Sequence, residues 1–265
     1  EGITCNVCHL RNGKILGVFG VTNAPHPVEK IDHGNRICLR CHVVSGASWD
    51  SFYKFPPCGT VAEIKSSTGK TSFAESGEMT SAEIAALACV DCHMPLLERP
   101  LVSAGQVRAT RQHLWRGGHD PDTVKKGLSI RFEANKQADP GKRLFSLFIT
   151  NTGAAHYLPT GTPDRHLSIH LRVLGKQGKI LHEIKHTLKR TVMWRPFIVD
   201  LWDTRLPPGK KREFKLTVAE KYTGIATAVE AQVHYHLLGE ARRQRIAYAN
   251  KEPIHYLVFN QKLNL

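Results

Sequence analysis

The sequence predicts an α+β protein built from two parts. Residues 1–126 predict a loop-rich domain with few helices, and residues 127–265 predict an antiparallel β-sandwich. We refer to them as the motif part and the sheet part. Two observations support this division. All 7 cysteines lie in the motif part, and alternation of apolar and polar residues begins at about Gly127. Such alternation, interrupted by turn residues, is typical of antiparallel strands.

A five-residue motif, C-x-x-C-H, occurs three times in the motif part, at residues 5–9, 38–42 and 89–93. It is the attachment signature of c-type haem. The two thiols add to the vinyl groups of a porphyrin, and the histidine that follows binds the iron. The sequence therefore predicts three covalently bound haem c groups, around which the motif part packs. The predicted attachment residues are Cys5, Cys8, Cys38, Cys41, Cys89 and Cys92. The predicted proximal iron ligands are His9, His42 and His93.

Other uses of a C-x-x-C pair explain the pattern less well. Zinc ribbons combine two such pairs in one tetrahedral site, so three pairs leave one unused, and zinc gives no reason for a histidine after each pair. A thioredoxin-like redox pair occurs once in a chain. Haem attachment accounts for six cysteines and leaves Cys58. We expect it to be a small buried side chain, with a free thiol or an intermolecular bridge as alternatives.

Local signals predict some further elements of the motif part. Thr80 and Glu83 form a capping-box pattern before an apolar stripe, which predicts a helix that ends in the third motif and stops at Pro95. Residues 56–74 predict a loop with one short strand over residues 61–64.

Five segments of the sheet part alternate clearly enough to predict strands. The clearest contains Leu167, Ile169, Leu171 and Val173. The others lie around residues 128–132, 145–149, 214–218 and 229–237. Turn residues separate them at 139–141, 175–179 and 207–209. The apolar tail from residue 254 is expected to complete the same sandwich, with an intermolecular contact as the alternative.

Charge and hydropathy bear on partners and location. The formal net charge is +14, but three haems would bring about six propionate charges, and no recognised nucleic-acid motif accompanies the basic residues. We therefore expect no nucleic-acid partner. No apolar run is long enough to predict a membrane span. Because haem attachment takes place outside the cytoplasm, we expect a periplasmic or extracellular protein, with its export signal upstream of this numbering.

A low-spin haem iron also needs a sixth ligand, usually His or Met. Five histidines outside the motifs have a distinctive local sequence. We favour three of them as distal ligands: His33, His113 and His119. The alternatives are His26 and His156. If His156 binds iron, a coordinate bond pins the sheet part to the motif part.

These motifs resemble those of bacterial multihaem c-type cytochromes whose haem domain is followed by a β-domain. The similar segments are C-V-D-C-H-M-P at 89–95, H-x-x-x-G-G-H at 113–119, N-T-G-x-x-H-x-x-P-T-G at 151–161 (N-T-G-x-G-H-x-x-P-T-G in that family) and D-T-R-x-P-P-G at 203–209. Ala155 stands where that family usually has Gly before the histidine. The resemblance implies electron transfer by haems with two histidine ligands.

Three functions remain open at this stage. The leading hypothesis is an electron carrier that passes electrons from haem to haem between redox partner proteins outside the cytoplasm, with other cytochromes among the candidate partners. The second is a multihaem reductase or oxidoreductase subunit in which one haem has an open site. The third is a structural, electron-conducting subunit of a larger respiratory complex or cytochrome assembly. Whether the chain is an enzyme stays open, with the carrier favoured.

Overall fold

The computed structural model describes residues 4–17, 23, 25–42, 58–67, 82, 86–100, 102–135, 143–193, 199–249 and 252–265. The α-helices in these ranges are α1 Cys5–His9, α2 Asn35–His42, α3 Thr60–Ser67, α4 Cys89–His93, α5 Pro121–Gly127 and α6 Glu240–Arg245. The strands of the motif part are β1 Leu10–Arg11, β2 Lys14–Gly17, β3 Val28–Lys30, β4 Leu96–Pro100 and β5 Val107–Arg111. The strands of the sheet part are β6 Leu128–Ala134, β7 Arg143–Asn151, β8 His166–Gly175, β9 Ile180–Met193, β10 Val199–Asp203, β11 Lys211–Val218, β12 Ala226–His236 and β13 His255–Asn264. Strands dominate and helices are short, in agreement with the α+β class.

The sheet part contains two antiparallel sheets. One has five strands in the order β10-β9-β8-β12-β13, and the other has three in the order β11-β7-β6. The alternation read from the sequence sets the buried face. Leu167, Ile169, Leu171 and Val173 of β8 are all 0% exposed, while the residues between them remain half-buried.

Residues of both sheets contribute to one hydrophobic core. Leu147 and Ile149 of β7 and Leu216 of β11 lie in the same buried cluster as Leu171 of β8 and Val229 of β12. A shared core of this kind supports the sandwich arrangement, which stays a prediction. The predicted division at residue 127 also stays a prediction, although β6 begins at Leu128.

The C-terminal tail forms β13, which pairs with β12 over its whole length at one edge of the five-stranded sheet. Leu263 and Val258 pack against the common core. The tail therefore completes the sheet of its own chain, as expected from its apolar residues.

The motif part is held by smaller elements. Strands β1, β2 and β3 form a three-stranded sheet, and β4 pairs with β5 as an antiparallel hairpin. Helix α5 connects this part to β6. It starts where the side chain of Asp120 accepts a hydrogen bond from Thr123 N at 2.8 Å, with Pro121 in the first turn, a common way to begin a helix.

Two predictions for the motif part need correction. The strand expected over residues 61–64 is wrong, because these residues lie in helix α3. Val61 and Ile64 are three positions apart, so they share one helix face and are buried together with Leu87. The start of the helix predicted from Thr80 lies outside the described residues. Ala88 has a φ of 54°, a left-handed conformation that a right-handed helix cannot continue, so the third motif begins a separate helix.

Within the described ranges, no helix is long and apolar enough to cross a membrane.

Candidate haem-binding sites

Each C-x-x-C-H motif lies on a helix. The first and third motifs are helices α1 and α4, and the second forms the C-terminal half of α2. Residues three and four positions apart on a helix share one face. In α1 and α4, helical geometry therefore turns both cysteines and the histidine toward the same side, as attachment to one porphyrin requires.

The second and third motif helices pack against each other. Asn35 at the start of α2 is fully buried, and its side-chain oxygen accepts a hydrogen bond from Val90 N of α4 at 2.9 Å. Gly34 permits this approach, because a Cβ at this position would lie 3.3 Å from a methyl group of Val90. The thiols of Cys38 and Cys89 are also hydrogen-bonded, and this bond lowers the pKa of Cys38 to about 7. Two attachment cysteines of neighbouring motifs are therefore in contact.

The motif histidines bind their surroundings through Nδ1. His9 donates from Nδ1 to the carbonyl oxygen of Leu16 at 2.9 Å, and His93 donates from Nδ1 to that of Arg116. A carbonyl can only accept, so Nδ1 carries the proton in both rings and the lone pair lies on Nε2. A metal-binding histidine in proteins almost always donates a hydrogen bond from its second ring nitrogen in this way.

His42 of the second motif has a different neighbour. Its Nδ1 lies 3.4 Å from Sγ of Cys58, and that sulfur lies 3.2 Å from the hydroxyl of Thr60. The bond with Cys58 raises the pKa of His42. The cysteine that the sequence left without a role is thus half-buried beside a predicted iron ligand.

The structure brings two of the predicted distal histidines against motif histidines. The ring centroids of His9 and His113 are 6.1 Å apart, with an angle of 34° between the planes. Those of His93 and His156 are 6.3 Å apart, with an angle of 14°. An iron bound between two imidazoles, about 2 Å from each nitrogen, would set their ring centroids about 6 Å apart. Both pairs therefore have the spacing that a shared iron needs.

The hydrogen bonds of His113 and His156 also fit the role of an iron ligand. His113 donates from Nδ1 to the carbonyl oxygen of Arg111 at 3.0 Å, and His156 donates from Nδ1 to that of Tyr157 at 2.9 Å. In both rings the Nε2 lone pair is left for a metal. Burial lowers the pKa of His156, which favours the neutral imidazole that metal binding requires. The residues present fit a haem iron at both pairs.

The other predicted distal ligands are placed differently. Nδ1 of His33 accepts a hydrogen bond from Asn35 N at 3.2 Å, so the ring proton of a neutral His33 lies on Nε2, the reverse of a ligand's arrangement. His26 and His119 are exposed, as His113 is. Among the described residues, none of these three histidines has a ring contact with a motif histidine like those of His113 and His156.

A further group of histidines lies on the solvent-side face of the five-stranded sheet. His166, His236 and His255 are directly opposite one another on β8, β12 and β13. The rings of His166 and His236 stack at 4.1 Å, and those of His236 and His255 are 5.2 Å apart. Burial and the neighbouring histidines lower the pKa of His236 to about 3. This group is separate from the motif histidines.

Sequence reasoning missed the residues that support the candidate ligands. Glu63 of α3 and Arg205 of the sheet part form a buried ion pair next to the His156 loop. The segment at 203–209 contains Arg205 but gives it no role, and no local signal marks Glu63, because a charged side chain on a short helix is normally solvated. Their burial arises only from the packing of the two parts.

Comparison with known structures supports the fold. A penta-heme cytochrome c552 from Thermochromatium tepidum matches with a TM-score of 0.61 at 19% sequence identity, over 87% of this chain and 56% of that chain. The chain thus spans just over half the length of that cytochrome. The structural genomics target SoR45 matches with a TM-score of 0.22 at 14% identity, over 51% of this chain and 83% of its own, which is too low to indicate a common fold. No protein-family model and no curated protein matches the chain.

Proposed function

We propose that this protein transfers electrons and carries three covalently attached haem c groups. The observation that carries the proposal is the pairing of His9 with His113 and of His93 with His156, each at the spacing of two ligands on one iron. In both pairs one histidine completes a C-x-x-C-H motif and the other comes from elsewhere in the chain. The similarity of fold to a penta-heme cytochrome supports the assignment.

Each motif has a defined role in this proposal. The six motif cysteines hold the porphyrins through thioether bonds, and the motif histidines bind iron through Nε2. His113 completes the first site and His156 completes the third. Bound haem would supply reversible one-electron chemistry, and the protein sets its potential through ligand type, burial and hydrogen bonds. The partners would be redox proteins outside the cytoplasm. The proposed number of haems is inferred from the three C-x-x-C-H motifs.

The surroundings of the second motif support a second candidate function, a reductase subunit. His42 contacts Cys58, and within the described residues no ring contact pairs it with a second histidine. The candidates for the sixth ligand of the second haem are His119, His26 and His33. The hydrogen bond at Nδ1 of His33 makes that residue the least suitable of the three. If the haem of the second motif has no protein ligand in its sixth position, it would bind a small molecule there, as a reductase subunit requires.

Mass spectrometry and spectroscopy test the main proposal. The exported polypeptide should be heavier by three haem groups under denaturing conditions. His113→Ala and His156→Ala should each convert one haem from low spin to high spin, because each removes one axial nitrogen. His182→Ala is the matched control, since His182 lies on β9 beside Tyr222, and should leave the spectrum unchanged.

The same spectra separate the two candidate functions. Added cyanide or carbon monoxide should leave the wild-type spectrum unchanged if all three irons have two protein ligands. A high-spin haem in the wild-type protein that binds these molecules would favour the reductase. A polypeptide of haem-free mass would refute both.

A further inference from the structure

The loop that carries His156 is fixed by a carboxylate from the motif part. Glu63 on helix α3 is 5% exposed. Its Oε2 accepts hydrogen bonds from Tyr157 N at 3.1 Å and from the hydroxyl of Thr160 at 2.6 Å. One side chain therefore holds the residue directly after His156 and a second point three positions further along.

Arg205 compensates the buried charge of Glu63. Its Nη1 lies 2.6 Å from Oε1 of Glu63, and the arginine is also 5% exposed. The same guanidinium binds the carbonyl oxygen of Pro159 at 3.2 Å and the carboxylate of Asp203 at 2.6 Å. A buried carboxylate without such a partner would be strongly disfavoured. The ion pair thus allows a full negative charge to lie beneath the loop.

The backbone of His156 is restrained on both sides. Its carbonyl oxygen accepts a hydrogen bond from the side chain of Asn151 at 2.8 Å, and the next amide is bound to Glu63. The ring donates to the carbonyl oxygen of Tyr157. Together these bonds fix the ring of His156, whose centroid lies 6.3 Å from that of His93.

Helix α3 also contacts the third motif directly. Val61, Ile64 and Leu87 form a small buried cluster against which Cys89 packs. One face of α3 therefore supports the start of the motif that contains His93, while Glu63 reaches the loop that contains His156. The same short helix therefore contacts the segments of both histidines, whose ring centroids are 6.3 Å apart.

A second set of hydrogen bonds extends from the same carboxylate toward the second motif. The hydroxyl of Thr160, which donates to Glu63, lies 2.8 Å from the hydroxyl of Thr60. Thr60 contacts Cys58, and Cys58 contacts Nδ1 of His42. The carboxylate is therefore linked by hydrogen bonds to segments at two of the three haem sites.

We propose that Glu63, paired with Arg205, is a positioning residue that holds His156 in place as the sixth ligand of the third haem. The inference rests on the proposed function, because it requires an iron between His93 and His156. Without the carboxylate, the amide of Tyr157 and the hydroxyl of Thr160 lose their acceptor, and His156 is no longer held at ligand distance. The protein needs this anchor because the two ligands come from different parts of the chain.

The test uses the haem-loaded protein and reads the spin state by electron paramagnetic resonance and optical spectroscopy. Glu63→Leu removes both acceptor oxygens and should cause loss of the low-spin signal of the third haem. Added imidazole should restore that signal by replacing the displaced side chain. Glu63→Gln keeps one acceptor oxygen and should give a smaller loss.

Two further variants separate positioning from folding. Glu63→Leu leaves Arg205 as a buried unpaired charge, so Glu63→Leu with Arg205→Met removes the whole pair. This double variant should keep its far-ultraviolet circular dichroism spectrum and still lose the low-spin signal. Glu213→Leu is the matched control, since Glu213 also accepts a hydroxyl hydrogen bond, from Ser146, but lies on β11. It should retain all three low-spin signals.

The outcomes distinguish this inference from the proposed function. If His156→Ala converts one haem to high spin while the Glu63 variants remain fully low-spin, the positioning role is wrong and the electron-transfer proposal stands. If His156→Ala itself leaves all haems low-spin, His156 is not a ligand and both the third-site assignment and the positioning role fail.

Discussion

The two parts of the molecule differ in how much core the polypeptide builds for itself. In the sheet part, two sheets bury a continuous set of Leu, Ile, Val and Phe side chains. Among the described residues of the motif part, a separate buried cluster contains only Val61, Ile64 and Leu87. Many large apolar side chains of the motif part are instead exposed: Val7, Leu10, Ile15, Leu96, Leu97, Val102, Val107, Leu114 and Trp115.

This difference shows how the same chain can stabilise two regions by different means. A region of this size needs apolar burial or covalent cross-links to offset the conformational entropy of its backbone. The sheet part obtains the burial from side chains. In the motif part, porphyrins bound through two thioethers each would supply both the apolar surface and the cross-links. The comparison leads to three predictions, in order of decreasing effect.

The largest effect is expected from removing a haem attachment site. Replacing both Cys89 and Cys92 with Ser should lower the mass by one haem and make residues 86–126 sensitive to protease, because little else is buried around α4. The strands β7 to β12 should remain resistant. Limited proteolysis followed by mass spectrometry measures both regions together.

Cys58→Ser is the control for that experiment, since this cysteine lies outside the motifs and should leave all three haems attached. Continued protection of residues 86–126 in the double variant would show that the motif part folds without its third haem. The contrast between the two parts would then be wrong.

The second prediction compares one apolar residue from each part. Leu171 is 0% exposed at the centre of β8, and Leu171→Ala should lower the free energy of unfolding by about 2–5 kcal/mol. Leu97 is 41% exposed on β4, and Leu97→Ala should change it by less than about 1 kcal/mol. Urea unfolding followed by far-ultraviolet circular dichroism gives both values. Equal losses would mean that the hairpin of the motif part contributes as much burial as the sheet core.

The third prediction concerns acid sensitivity of the sheet part. The pKa of His236 is lowered from 6.5 to about 3 in the folded protein, so between these pH values the unfolded chain binds the extra proton. The free energy of unfolding should therefore fall as the pH decreases through this window. His236→Asn should reduce the difference between pH 7 and pH 4.5 by about 1 kcal/mol or more.

His182→Asn is the control, and its pH dependence should match the wild type. If His236→Asn leaves the pH dependence of the free energy of unfolding unchanged, the acid sensitivity of the chain arises from other residues. The same urea titrations, repeated at both pH values, provide the measurement.

Much of the fold could be predicted because its signals are local. The alternation of Leu167, Ile169, Leu171 and Val173 predicted β8 directly, since strand geometry places alternate residues on one face. Strand β9 gave no clear signal, because its segment mixes His, Lys and Arg with the apolar residues and is half-buried along most of its length. Helix α3 was predicted as a strand because Val61 and Ile64 favour strands, and only their packing on Leu87 reveals the helical period.

For the candidate sites, the sequence could predict the C-x-x-C-H residues but not their partner histidines. The spacing of Cys and His within five residues is local and indicates haem on its own. Which histidine faces each motif depends on tertiary packing, so His113 was among the favoured residues whereas His156 was an alternative. The ion pair of Glu63 and Arg205 lay beyond sequence reasoning, because its two members are far apart in the chain. Glu63 has no distinctive local sequence, and the segment at 203–209 that contains Arg205 does not indicate its partner.

The placement of His156 has a consequence for biosynthesis. His93 precedes in the chain the strands that frame the loop after β7. Under the proposed function, the third iron would therefore acquire His156 only after the later segment has been synthesised, exported and folded. Maturation of the protein would then have a fixed order, with covalent attachment first and closure of the coordination sphere last. The appearance of a fully low-spin spectrum would report that the C-terminal strands have reached their final positions.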